Sequence, residues 1–171
     1  LAQRLYEAGH ITYMRTDGTT LSNDAKKSIK SYVNNAFGKE YFKERDYQSK
    51  IKGAQEAHEA VRPTNFTEKN AGNDDGEKKL YQLIWQRTVA SQMEAATLLK
   101  TTIEIPAGNG SFEAKGEVVK FDGFFKVYPT SNKDKHLPEL TVGDSLNEKL
   151  IYARQKFTKP TARFTEASLV K

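Results

Sequence analysis

The chain has 171 residues, 29% of them charged, with a formal net charge of +5 and no cysteine. That length suits one good-sized domain or two small ones. Disulfides, thiolate metal sites and catalytic thiols are excluded, no apolar run approaches the ~18 residues of a membrane span, and the basic balance favours a polyanionic partner, although surface lysines alone would give it.

In chain order, Leu1, Leu5 and Ala8 fall at helical spacing and Gly9 suits the helix C-terminus. Residues 10–15 read as a short strand or extended segment, and Thr16 to Thr19 are turn formers. Ser22 is an N-cap for a helix whose apolar stripe is Ala25, Ile29, Tyr32, Val33 and Ala36, closed by Gly38. Residues 39–57 read as a long surface loop carrying Tyr41, Phe42 and Tyr47. The alanines and glutamates of Gln55–Pro63 predict a short helix that Pro63 ends, which would set His58 and Arg62 one turn apart. Residues 64–78 read as a polar linker, and Leu80 to Ala96 as the strongest helix.

After Thr97 the pattern turns to β. Thr101 to Ile105 alternate, residues 107–110 form a turn, and residues 111–121 a second strand. Asp122-Gly123 predicts another hairpin leading to a third strand, Phe124 to Tyr128, and Leu146, Leu150 and Tyr152 share a face of a fourth. A polar loop fills 129–137, and Val142-Gly143-Asp144 is a turn. Both ends read as cut: Leu1 opens inside a helical pattern, and Thr165 to Lys171 read as a capped helix barely begun. The fold class expected is α+β.

The chemistry gathers at His10 to Asp17. In an extended backbone Tyr13 and Arg15 point to one face, so one phosphate could meet both. A free phenol, with a pKa of ~10, is a poor nucleophile, and a neighbouring cation favours the phenolate. Arg15 could orient a phosphate and stabilise charge as Tyr13 attacks. Equally, Tyr13 is a core aromatic and Arg15 a surface residue. Asp17 either holds Arg15 or caps the turn. His58 could relay a proton, while Arg62 binds a phosphate or pairs with Glu59. Tyr41, Phe42 and Tyr47 either stack on bases or anchor their loop. No P-loop, dinucleotide fingerprint, zinc pattern or paired Asp-x-Asp is present.

Taken together these stretches are more specific than their parts. Ala2-Gln3-Arg4-Leu5-Tyr6-Glu7-Ala8-Gly9-His10-Ile11-Thr12-Tyr13-Met14-Arg15-Thr16-Asp17 resembles the active-site stretch of the bacterial type IA DNA topoisomerase I family. Gln55 to Pro63 resembles that family's second signature, Leu80 to Trp85 its next helix, and Phe157 to Lys171 a fourth block. Gly18 departs from the serine usual after the Thr-Asp pair.

The resemblance implies roles. Tyr13 matches the tyrosine that attacks one DNA strand and keeps the 5′-phosphate as an ester, which lets the strand reseal without ATP and relaxes negative supercoils. Arg15 matches the arginine assisting that attack, and His58 a histidine beside the nucleophile. Arg62, Arg163 and Asp17 are carried over as DNA or structural contacts. The implied architecture is a winged-helix-like domain bearing the tyrosine (1–97), an antiparallel β segment of an arch (98–157) and the start of a further domain (158–171).

The resemblance also implies partners: single-stranded and negatively supercoiled DNA, in a cytoplasmic, nucleoid-associated setting with no membrane. It implies a separate Toprim domain whose acidic residues hold Mg²⁺. No metal ligands are expected in this stretch, which alone is expected to be inactive. The rival readings are a winged-helix module that only binds DNA, and a domain that binds protein through open sheet edges.

Overall fold

The structure, a computed structural model, describes residues 1–47, 59–129 and 135–169. Helix α1 (Ala2–Glu7) ends as its sequence requires: Gly9 takes φ +77°, its N–H bonds the Tyr6 carbonyl, and the His10 N–H bonds the Leu5 carbonyl. This pair of hydrogen bonds at a helix end needs a left-handed residue, and glycine supplies it without strain. It turns the chain from α1 directly into His10–Asp17, while Leu5 is fully buried.

Helix α2 (Asn23–Ala36) starts where Ser22 accepts the Ala25 N–H at 3.3 Å and ends at Phe37, before Gly38 at φ +112°. Its stripe buries Ala25, Ile29 and Val33 and partly buries Tyr32, whereas Ala36 faces outward. Helix α3 (Asp75–Ser91) begins and ends about five residues earlier than the periodicity of its apolar residues predicts. The early start is set by Asp74, whose carboxylate accepts the Glu77 N–H at 2.8 Å. In Asn-Asp-Asp-Gly the acidic residue acts as a cap rather than as part of a linker.

Tyr81, Trp85, Val89 and Met93 of α3 and the residues after it pack against Leu5, Ile11, Ile29, Val33, Phe66 and Val127 to form the core. Each fully buried aliphatic or aromatic side chain there contributes roughly 1.5–3 kcal/mol. The Trp85 indole N–H donates to the Phe66 carbonyl (2.9 Å), and the Tyr81 hydroxyl to the Glu68 carbonyl (2.8 Å). Burial pushes the Tyr81 phenol up to about 12. Arg4 pairs with Asp74 at 2.6 Å and with the buried Glu77, fastening α1 to the start of α3.

Strands β1 (Thr97–Ala107) and β2 (Gly110–Phe121) form an antiparallel hairpin, paired from Ala107 with Gly110 back to Thr97 with Phe121. The positive φ (+57°) falls on Gly108, the first of two central turn residues, where one class of tight hairpin turn places glycine. Lys135 bridges to Glu117.

The predicted third strand is not formed. Gly123–Lys126 is a 3₁₀ turn, and the Phe124 N–H bonds the Glu94 carbonyl at 2.9 Å. Asp122 does not open a hairpin; it accepts the Tyr41 hydroxyl at 2.7 Å and pairs with Lys126 at 3.2 Å. Gly123, at φ +46°, lies so close to residues 94 and 95 that a Cβ there would stand 2.5 Å from the Glu94 carbonyl oxygen. The fourth strand predicted over 146–152 is also absent, and those residues lack regular structure.

The composition changes at the residue where β1 begins, whereas Cα packing groups Leu1–Leu137 as one compact unit and Pro138–Lys171 as another. In the second unit, Thr141 and Asp144 close a turn through Gly143 at φ +100°, and the Thr165 hydroxyl accepts the Ser168 N–H at the start of α4 (Glu166–Leu169). No helix among the described residues is long and apolar enough to cross a membrane.

Candidate active site

Tyr13 lies in an arc between two anchored ends. At one end Ile11 pairs antiparallel with Pro63, and the Thr12 N–H bonds the Arg62 carbonyl at 2.9 Å. The Thr12 hydroxyl accepts the Arg62 N–H (3.0 Å) and donates to the Ala60 carbonyl (3.3 Å). At the other end the Thr16 hydroxyl donates to the Glu59 carbonyl (3.0 Å), and the Ala60 N–H bonds the Thr20 carbonyl (2.8 Å).

The helix predicted over 55–63 is thus overturned for its described residues, 59–63, which are extended and bridge two segments of the chain. Alanine and glutamate favour helix only weakly, and five hydrogen bonds that join the Thr12 and Thr20 backbone and the Thr12 and Thr16 hydroxyls to the backbone of residues 59–62 outweigh that preference.

Between the anchors Tyr13 is 50% exposed, Met14 turns partly into the core, and Arg15 is exposed. The alternation expected from the sequence therefore holds, though only Ile11 is in a bridge and the chain bends at Met14 and Arg15. Tyr13 makes one ring contact, edge-on to Tyr6 of α1, with centroids 5.3 Å apart. Among the described residues no hydrogen bond or ion pair engages the Tyr13 hydroxyl, the Arg15 guanidinium or the Asp17 carboxylate. The turn is closed by Thr16, whose hydroxyl accepts the Gly18 N–H at 2.9 Å, so Asp17 neither caps it nor holds Arg15.

Arg62 is differently placed. Its Nε and Nη2 meet the two Glu59 oxygens at 2.6 and 3.1 Å, and Nη1 donates to the Pro63 carbonyl at 3.1 Å. Glu59 also accepts the Ser22 N–H at 2.9 Å. Burial pushes the Glu59 carboxyl up, but the bonds from Arg62 and Ser22 together outweigh it and hold it below its ordinary range. Sequence reasoning weighed Glu59 only as a partner for Arg62; its spacing gave no sign of the Ser22 bond. His58 lies outside the described residues. Arg163 is exposed in the second unit. No three His, Cys, Asp or Glu side chains gather to hold a metal ion among the described residues.

The loop aromatics are engaged elsewhere. Tyr41 stacks on Phe121 at 4.8 Å and bonds Asp122, Phe42 packs on the core, and the Tyr47 hydroxyl donates to the Ser91 carbonyl at 3.1 Å. Residues 41–47 run along the end of α3, held by Gln92, whose side chain bonds the Arg45 N–H (3.1 Å) and carbonyl (2.9 Å). They form a strap rather than a free loop.

A protein-family description, "DNA topoisomerase", matches residues 1–171. The chain is 46% identical to DNA topoisomerase 1 of Pasteurella multocida over 178 residues, covering all of this chain and 20% of that protein. It is 47% identical over 179 residues to DNA topoisomerase 1 of Escherichia coli, covering all of this chain and 21% of that protein. The solved structure of full-length topoisomerase I from Thermotoga maritima superposes on 81% of this chain and 24% of its own, with a TM-score of 0.66 and 34% identity. The chain spans about a fifth of the length of these curated relatives.

Proposed function

The chain belongs to the DNA topoisomerase family, and from that premise we propose that it is the part of a type IA topoisomerase that supplies the attacking tyrosine. The observation that carries this reading is Tyr13 itself. Its backbone neighbours are fixed on both sides, yet its hydroxyl and the nearby Arg15 guanidinium are exposed and unengaged among the described residues. A nucleophile needs that combination of fixed origin and free tip.

In the proposed step the Tyr13 oxygen attacks a backbone phosphorus of one DNA strand. A Tyr13–phosphate ester forms at the 5′ side, the bond from phosphorus to the 3′ oxygen breaks, and that oxygen leaves as a hydroxyl after taking up a proton. The reverse attack by the 3′ hydroxyl reseals the strand and frees the tyrosine, so bond energy is conserved and ATP is not needed. Arg15, permanently charged and forked, binds the phosphate oxygens where negative charge accumulates. Mg²⁺ and its acidic ligands belong to a Toprim domain supplied by the longer protein. The winged-helix-like character of the helical part and the arch-like role of the β hairpin belong to the same reading.

The test supplies this chain with a separately produced Toprim domain, Mg²⁺ and end-labelled single-stranded DNA. A covalent adduct on this chain, lost in Tyr13→Phe, is the expected result. No adduct with single-strand binding intact would leave a DNA-binding module. Relaxation of a supercoiled plasmid by this chain alone would overturn the division of labour.

A further inference from the structure

We propose that Glu59 is the positioning residue for the Tyr13–Arg15 arc, a reading that rests on Tyr13 being the nucleophile. The arc has two attachment points, and both belong to the segment Glu59–Thr64. Arg62 holds the entry: its carbonyl and N–H bond the backbone and hydroxyl of Thr12. Glu59 holds the exit: its carbonyl receives Thr16, and it bridges in parallel to Thr20. Residues 13–15 make no backbone hydrogen bond of their own among the described residues. Their placement therefore depends on the spacing and orientation of those two points.

The Glu59–Arg62 fork is the cross-tie between them. Two charge-assisted bonds, at 2.6 and 3.1 Å, fix the residue that holds the entry against the residue that holds the exit. The same carboxylate accepts the Ser22 N–H at 2.9 Å. Ser22 caps α2, which packs Ala25, Ile29 and Val33 into the core. The tie is thereby referred to the rigid part of the molecule. Among the described residues Glu59 makes no hydrogen bond or ion pair with Tyr13 or Arg15; it acts on them through Arg62, Thr12, Thr16 and Ser22. Arg62, with its guanidinium shared between Glu59 and the Pro63 carbonyl, serves the arc rather than presenting an open fork to DNA.

A misplacement of about 1 Å at a reacting group can cost on the order of 10²-fold in rate. The expected signature is a loss in the chemical step with DNA affinity retained. Glu59→Gln keeps the shape and an oxygen for Ser22 and Arg62, whereas Glu59→Ala removes all three bonds.

The deciding experiment has two readouts on the full chain. Amide hydrogen exchange, which needs no chemistry, is measured at Thr12, Gly18 and Ala60. Glu59→Ala should speed exchange at these amides while those inside α3 stay protected, and Glu59→Gln should restore most of the protection. Unchanged exchange in Glu59→Ala, or loss spread evenly over α3 as well, overturns the proposal.

The second readout is adduct formation with the added Toprim domain at saturating DNA. Glu59→Ala should be slower by about 10- to 100-fold with little change in half-saturation, and Glu59→Gln should recover most of the rate. A loss in half-saturation alone also overturns the proposal. Tyr13→Phe is the separate control. Adduct persisting in that variant would refute the nucleophile assignment, whereas adduct lost there but undiminished in Glu59→Ala would refute only the role given to Glu59.

Discussion

Residues 13–17 and residues 41–47 are similar in composition, each mixing tyrosine, arginine and acid, and they use those side chains in opposite ways. In the strap the tips are engaged. Tyr41 bonds Asp122, Arg45 donates to the Met93 carbonyl at 2.8 Å, Asp46 pairs with Lys26, and Tyr47 bonds the Ser91 carbonyl. In the arc the flanking backbone is engaged, and the tips of Tyr13, Arg15 and Asp17 are left free among the described residues. The difference separates aromatics that hold a fold together from one available to a substrate. A reacting group is best held by its backbone, because a side chain already bonded must break that bond before it can react.

The largest expected effect tests that contrast directly. In the complemented cleavage assay, Tyr13→Phe should abolish the covalent adduct and leave the thermal midpoint of the chain unchanged, while Tyr41→Phe and Tyr47→Phe should leave the adduct in place. Adduct lost in a strap variant that remains folded would collapse the distinction. Arg15→Ala comes next. Removing one preorganised charge at a developing oxyanion typically costs on the order of 10²–10³ in rate, with no loss of stability, because nothing among the described residues leans on that guanidinium.

The strap should answer in stability instead. Gln92→Ala leaves the Arg45 N–H and carbonyl without their partner, a cost of about 1–3 kcal/mol. Urea denaturation followed by Trp85 fluorescence measures it, and an unchanged midpoint would show that the strap is not held through Gln92.

The smallest effect concerns acid. The Glu59 carboxyl titrates below its ordinary value of 4.5 in the folded chain. Its contribution is therefore complete above about pH 4.5 and is lost as pH falls through the lower, folded value. Asp74, Glu94 and Asp122 are depressed as well, so Glu59→Gln should only flatten the acid limb of the thermal-stability profile below pH 4.5. An identical limb would mean that the carboxylate adds nothing as a charge.

Much of the site could be read from order along the chain. Gly9 ends α1, Ser22 starts α2, Gly38 follows its end, and the Gly108-Asn109 turn joins two strands, because capping and tight turns depend on residues only a few positions apart. The spacing of Tyr13 and Arg15 put both on one face but left open whether that face is buried, and four ordered stretches pointed to the family that the comparisons then gave. Other features depend on residues distant in sequence. Residues 59–63 are extended because residues 10–22 offer them hydrogen bonds, against a local preference for helix. Asp122-Gly123 turns back instead of forming a hairpin because Tyr41, Lys126 and the Glu94 carbonyl meet it there. The sequence by itself determined the caps and tight turn that end α1, start α2 and join β1 to β2. The tertiary structure decided which backbone and side-chain groups are already engaged, since a hydrogen bond between residues far apart in the chain leaves no periodicity to read.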